Sequence, residues 1–221
     1  MTADEMKFYK AAGDDGGVIS TTEIVDGQMN NLMPDVTATD AEAGATVYRK
    51  FFIKNTNASD TAKSVKVCLI SFTPADDFVN IFPGTADDTT ANFTNTKKYG
   101  IALATAELDR ATKEVACSTE AQQALSDIFE VGDTILFVNR SDDSRIATAT
   151  VATVNAGSLV INEDIPADIV LNDSYICNAV AAGDLAPDGS FGVWVRQDIP
   201  AYASAYEDPP DNFKISVYFD G

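Results

Sequence analysis

The chain has 221 residues and a mass of 23.5 kDa, with 34 acidic side chains against 15 basic ones, a net charge of −19 and no histidine. That field repels phosphate backbones and disfavours sequence-blind nucleic-acid binding; the missing imidazole removes Ser-His-Asp and Cys-His catalysis and the commonest metal ligand. An apolar content of 45% belongs to a folded chain rather than a disordered one, and no apolar run approaches the ~20 residues that span a bilayer.

Residues 1–20 are polar. Lys7-Phe8-Tyr9 reads as a short edge strand and Gly13-Asp14-Asp15-Gly16-Gly17 as a turn. Met1 to Lys10 lacks the apolar stretch of a signal peptide, so secretory export is not expected. Low apolar content and the glycine run predict that residues 1–35 form an arm that orders only against a neighbouring subunit. Thr39-Asp40-Ala41-Glu42 fits the capping box of a short helix, which Gly44 stops.

The first long strand is Thr46–Asn55, followed after a turn by Ser64–Phe72 with Val65, Val67 and Leu69 on one face. Phe78–Phe82 is a shorter strand ended by Pro83-Gly84. Residues 85–97 hold little to bury and read as a linker loop. A second strand-rich unit then begins. Tyr99–Leu108 and Lys113–Cys117 read as a strand pair. Thr119–Phe129 has helical spacing, with Thr119 and Gln122 as a capping box. Thr134–Asn139 is apolar throughout and reads as a buried strand. Arg145–Val154 alternates, Ser158–Ile161 follows a Gly157 turn, and Ser174–Cys177 closes the unit. Asp184–Ser190 reads as a loop, Gly192–Arg196 as a return to the first frame, Ala201–Asp211 as a Tyr- and Pro-bearing loop, and Phe213–Phe219 as a closing strand.

The pattern is mainly β: an Ig-like or jelly-roll-type β-sandwich with an inserted small β-barrel-like module and one short helix. Residues 1–97 and 181–221 make the discontinuous frame and residues 98–180 the insert. If the two ends of the insert are close in space, the host tolerates it at little entropic cost.

No catalytic constellation, nucleotide loop or dinucleotide fingerprint is present. Among 34 acids some pair always faces some gap, so a glycosidase-like carboxylate pair carries no specificity. The Asp pairs 14–15, 76–77, 87–88 and 142–143 sit on loops where calcium could bind, but Asp also favours turns for its own backbone bonds. No catalytic, cofactor or metal residue is assigned. Cys117 and Cys177 lie on separate strands of the insert and are candidates for a disulfide or for neighbouring thiols; Cys68 reads as a small buried apolar residue. Tyr202, Tyr206, Pro209 and Pro210 are candidate interface residues, with the alternative that they cover the end of the sandwich.

Several segments together carry a family resemblance. They are Lys7-Phe8-Tyr9, Thr21-Thr22-Glu23-Ile24 with Gly27 and Asn30-Asn31-Leu32, the run Thr46 to Asn55, Lys98-Tyr99-Gly100, and Val193-Trp194-Val195-Arg196. The chain resembles a group of tailed-bacteriophage virion structural proteins with a sandwich frame and a variable inserted module. The resemblance implies a non-enzymatic virion component made in the host cytoplasm. It implies contact with other virion proteins (major capsid or tail and baseplate proteins) and a homo-oligomer on the particle, without nucleic acid, membrane or cofactor. Head decoration is favoured by analogy of architecture. Tail or baseplate attachment and a receptor- or carbohydrate-binding module on the host-facing side remain open.

Overall fold

The computed structural model describes residues 1–28, 31–120, 123–204 and 212–220. The chain opens with β1 (Met6–Gly13) and β2 (Gly16–Glu23), followed by α1 (Ala38–Ala43), β3 (Ala45–Asn55), β4 (Ala62–Leu69) and β5 (Phe78–Pro83). Next come β6 (Ile101–Ala104), β7 (Glu114–Ser118), α2 (Leu125–Ile128), β8 (Thr134–Asn139), β9 (Arg145–Val154), β10 (Ser158–Ile161) and β11 (Ser174–Asn178). The last strands are β12 (Val180–Leu185), β13 (Ser190–Ile199) and β14 (Ile215–Asp220).

Two sheets form the frame. One has the order β2-β1-β3-β13-β5 and the other β12-β4-β14. Alternation explains how they meet. Phe51 and Ile53 of β3, Val193 and Val195 of β13, and Ile81 of β5 point to one side, where they pack with Val65, Val67 and Leu69 of β4. Strands β6 to β11 close into a separate six-stranded antiparallel barrel, β10-β7-β6-β11-β8-β9. Its interior is filled by Ala102, Val115, Leu125, Ile135, Phe137, Val151, Leu159 and Ile176. The first and last barrel strands are neighbours, with Cys177 opposite Ile101, so the chain leaves close to where it came in.

The uniformly apolar β8 now has a reason. Ile135 and Phe137 enter the barrel core, whereas Leu136 and Val138 join the apolar cluster of the frame, as do Ile101 and Cys177. The barrel wall at β8 and β11 is therefore buried on both faces, one against its own lumen and one against the frame.

Several expectations are corrected. Lys7-Phe8-Tyr9 lies within β1, which is not an edge strand but sits between β2 and β3. Residues 6–23 are accordingly a hairpin of the frame sheet rather than part of an arm awaiting a neighbour. The cap of α1 is Thr37, two residues earlier than expected: Asp40 N donates to Thr37 Oγ1 at 3.1 Å and Thr37 N to Asp40 Oδ2 at 3.2 Å. The predicted helix over Thr119–Phe129 shrinks to Leu125–Ile128, because Thr119 Oγ1 bonds back to the Gln123 carbonyl and Ala124 N bonds to Asp127 Oδ2; Gln122 of the predicted cap lies outside the described residues. The predicted loop Asp184–Ser190 begins inside β12, a strand whose exposed Ala-Gly-Asp stretch hid its alternation.

Candidate functional site

The outer face of the five-stranded sheet carries the most elaborate side-chain arrangement. Register places Lys50 opposite Trp194 and Trp194 opposite Phe82, so all three project from the face away from the sandwich core. Residues 84–98, of which 85–97 read from sequence as a linker, lie across them as a strap. Phe93 meets Trp194 and Tyr48 with tilted rings and Phe82 edge-on, with ring centroids 5.2, 5.9 and 5.5 Å apart. Asp88 reaches in beside Lys50 and Trp194. Its Oδ2 accepts from Trp194 Nε1 at 2.9 Å and from Thr85 N at 3.1 Å, and its Oδ1 is in ion-pair contact with Lys50 Nζ.

Lys50 is fully enclosed. Its ammonium donates to the Gly17 carbonyl at 2.8 Å and to the Asp88 carbonyl at 3.2 Å, and lies 4.7 Å from the Phe52 ring centre and 5.8 Å from that of Trp194. Burial alone would raise the Asp88 carboxyl; the contact with the Lys50 ammonium and the bonds from Trp194 and Thr85 outweigh it and hold the group below the usual carboxylate range. The β1–β2 turn closes the third side. Gly17 N donates to the Asp88 carbonyl at 2.8 Å and Thr90 N to that of Asp15 at 2.9 Å. Gly16 has φ +101°, and a Cβ there would meet Trp194 Cη2 at 2.6 Å and the Asp88 carbonyl at 2.7 Å. Only glycine fits that approach.

A second cluster ties the barrel to its stem. Asp133 Oδ2 accepts from Asn178 Nδ2 at 2.7 Å, Lys97 Nζ at 2.8 Å and Glu130 N at 2.7 Å. The Ile128 carbonyl accepts from Asn178 Nδ2 at 2.6 Å and Lys97 Nζ at 3.2 Å. Lys97 lies on the incoming chain and Asn178 on the outgoing one, so one carboxylate clips both. Within the barrel, Glu107 accepts from the backbone N–H of Leu171 and Asn172 at 2.9 and 3.1 Å, and Glu163 from Thr150 N at 2.6 Å. For both, burial pushes the carboxyl up, and these backbone bonds more than reverse it.

The surface is less organised. An open polar depression at one end of the barrel is lined by Asn139, Arg140, Asn172, Asp173 and Tyr175. Arg140 pairs with Asp173 and covers the Tyr175 ring at 5.2 Å, and Phe72 meets the same ring edge-on, so the aromatic face is already taken.

The sequence-predicted residues fall as follows. Tyr202 is 85% exposed, with φ +63°. Its loop is pinned by Ala203 N on the Ala41 carbonyl at 3.1 Å and Ser204 N on Asp76 Oδ2 at 2.9 Å. Tyr206, Pro209 and Pro210 lie outside the described residues. Cys117 and Cys177 are free buried thiols in different places, Cys117 in the barrel core and Cys177 on the frame side of the wall in one apolar cluster with Cys68. They form no disulfide in the structure, because neighbours on β6 hold them at opposite ends of that strand: Ala104 faces Cys117 and Ile101 faces Cys177. Burial pushes the Cys117 thiol up to about 12 and raises Cys68 and Cys177 as well.

The loop aspartates hold a local turn at Asp142 and long-range contacts at Asp76 and Asp77. Asp142 accepts from Ser144 N at 3.0 Å, Asp76 from Ser204 N, and Asp77 from Gln197 Nε2 at 2.7 Å. Among the described residues no three acidic or thiol side chains converge as a metal site. Sequence reasoning missed Lys50, Asp88 and Trp194 as a unit. The available signal was a lysine in mid-strand beside a lone tryptophan on another frame strand, but its acidic partner sits in a segment without periodicity.

Comparison with protein-family models, curated proteins and solved structures yields no match for this chain.

Proposed function

We propose that this chain is a non-enzymatic structural component of a tailed-bacteriophage virion, carried on the head surface as a decoration or cement protein. The observation that supports it best is how hydrogen-bonded polar side chains are used. Lys50 with Asp88, Asp133 with Lys97 and Asn178, and Glu107 with the 171–172 backbone each close a crossing between two chain segments. A body locked in this way presents the same shape at every copy, which suits attachment through many modest, repeated contacts. The family resemblance of the sequence provides the particle, and the expected partners are major capsid protein and further copies of this chain.

The same resemblance fits tail or baseplate attachment. The 85% exposed Tyr202 favours a second reading, a host-surface binding module, since an exposed tyrosine offers large contact area with few rotors. Sedimentation after mixing the purified protein with undecorated heads, with tails and with host cells separates the three. Depletion by heads is expected. Depletion by tails alone moves the attachment site, and depletion by cells alone overturns the structural reading.

A further inference from the structure

We propose that Lys50 and Asp88 are joined by an intramolecular isopeptide bond, a covalent cross-link between β3 and the strap that covers it. The inference rests on four observations at one place. Lys50 Nζ and the Asp88 carboxylate are in direct contact, with the lysine side chain fully buried and that of the aspartate 10% exposed. Phe52 and Trp194 wall the ammonium, and Phe93 meets Trp194 with a tilted ring. Asp88 Oδ1 is buried and, despite the contact, takes no hydrogen bond of normal geometry, so the nitrogen sits against the carboxylate without the alignment of a hydrogen-bonded ion pair. Asp88 Oδ2 is held by two donors, Trp194 Nε1 and Thr85 N.

Those parts match the needs of amide formation. Desolvation in an aromatic enclosure works against both charges of the ion pair. The ammonium gives one proton to Oδ1, and the amine lone pair then forms a bond to Cγ. The negative charge that develops on Oδ2 meets the Trp194 and Thr85 N–H groups, an arrangement of donors that stabilises a tetrahedral oxyanion. Oδ1 takes a second proton from the nitrogen and leaves as water when the Cγ–Oδ1 bond breaks. No oxidant, reductant or further reactant is consumed. The product keeps all but one of the surrounding bonds: its single N–H faces the Gly17 carbonyl, the 3.2 Å bond to the Asp88 carbonyl is given up, and its carbonyl oxygen is Oδ2, still bonded to Trp194 and Thr85. Permanent proximity supplies the effective concentration that lets an unactivated acid react.

Intact-mass spectrometry of the full chain, unfolded before injection, tests this. The wild type is expected about 18 Da below its sequence mass, the loss of one water, and the Lys50→Arg variant, which keeps the charge, at its full sequence mass. Proteolysis of the wild type should release one joined peptide containing both Lys50 and Asp88. A wild-type chain at full sequence mass overturns the proposal. So does a water loss that persists in Lys50→Arg, which would place the dehydration elsewhere. Should that variant not fold, the presence or absence of the joined wild-type peptide decides alone.

Discussion

Removing the Asp133 carboxylate should loosen the barrel from its stem. Asp133→Ala strips three donors at once: Lys97 Nζ, Asn178 Nδ2 and Glu130 N. The site is mostly dry, with the Asp133 side chain 13% exposed and that of Lys97 19% exposed. Hydrogen bonds to charged groups contribute ~1.5–3 kcal/mol each. Lys97 regains some water and Asn178 keeps the Ile128 carbonyl, so the net loss is set at about 3 kcal/mol rather than the full sum. Asp133→Asn retains an acceptor oxygen without the charge and should lose about half as much. Urea unfolding followed by far-ultraviolet circular dichroism and by fluorescence of Trp194, the single tryptophan, measures both. The two probes should shift together, because Ile101, Leu136, Val138 and Cys177 of the barrel wall share the apolar cluster of the frame. A change within about 0.5 kcal/mol of wild type, or a dichroism shift that leaves Trp194 unmoved, refutes the reasoning.

Other expectations concern the strap, the acid limb and the thiols. Gly16→Ala forces a Cβ to 2.6 Å from Trp194 at a positive φ; a loss above about 2 kcal/mol is expected in the same urea assay, and wild-type stability would contradict the close approach. Phe93→Ala removes the ring over Trp194 and should cost about 1.5–3 kcal/mol with a red-shifted emission, less than a fully buried Phe because Phe93 is half-exposed. The carboxyls of Glu107 and Glu163 are lowered in the folded chain. Their contribution is therefore full above the unfolded values near ~4 and is lost as pH falls through the lower folded values. Thermal unfolding should be flat between about pH 6 and 8, where no histidine titrates, and should fall below about pH 4; a steep slope near neutrality would contradict this. Cys68, Cys117 and Cys177 should resist a thiol reagent in the native chain and all react in denaturant; fewer than three reactive thiols in unreduced, denatured chain would reveal a disulfide.

Much of the frame was legible because its strands have unlike faces. β3, β13 and β14 carry apolar residues at every second position toward the core, although the strap also dries the outer face of β3 and β13 at Lys50 and Trp194, and β9 and β10 were readable to the residue between their turns. The segments that escaped are those whose fold is set by tertiary contact. The strap 84–98 has no periodicity, yet Asp88 and Phe93 find partners on β3, β5 and β13, far away in sequence. The N-terminal hairpin looked too polar to fold alone, and it does not fold alone: β1 pairs with β3 and its turn is held by the strap. Helical spacing at 119–129 was overridden by two side-chain bonds to the backbone. The uniformly apolar β8 did announce burial, but not that one of its faces belongs to the frame.

Electron microscopy of purified particles labelled with an antibody to this chain tests the virion assignment most directly. Regularly spaced label over the head surface is the expected picture. Bare particles, with the protein remaining wholly in the particle-free fraction of the lysate, would contradict it.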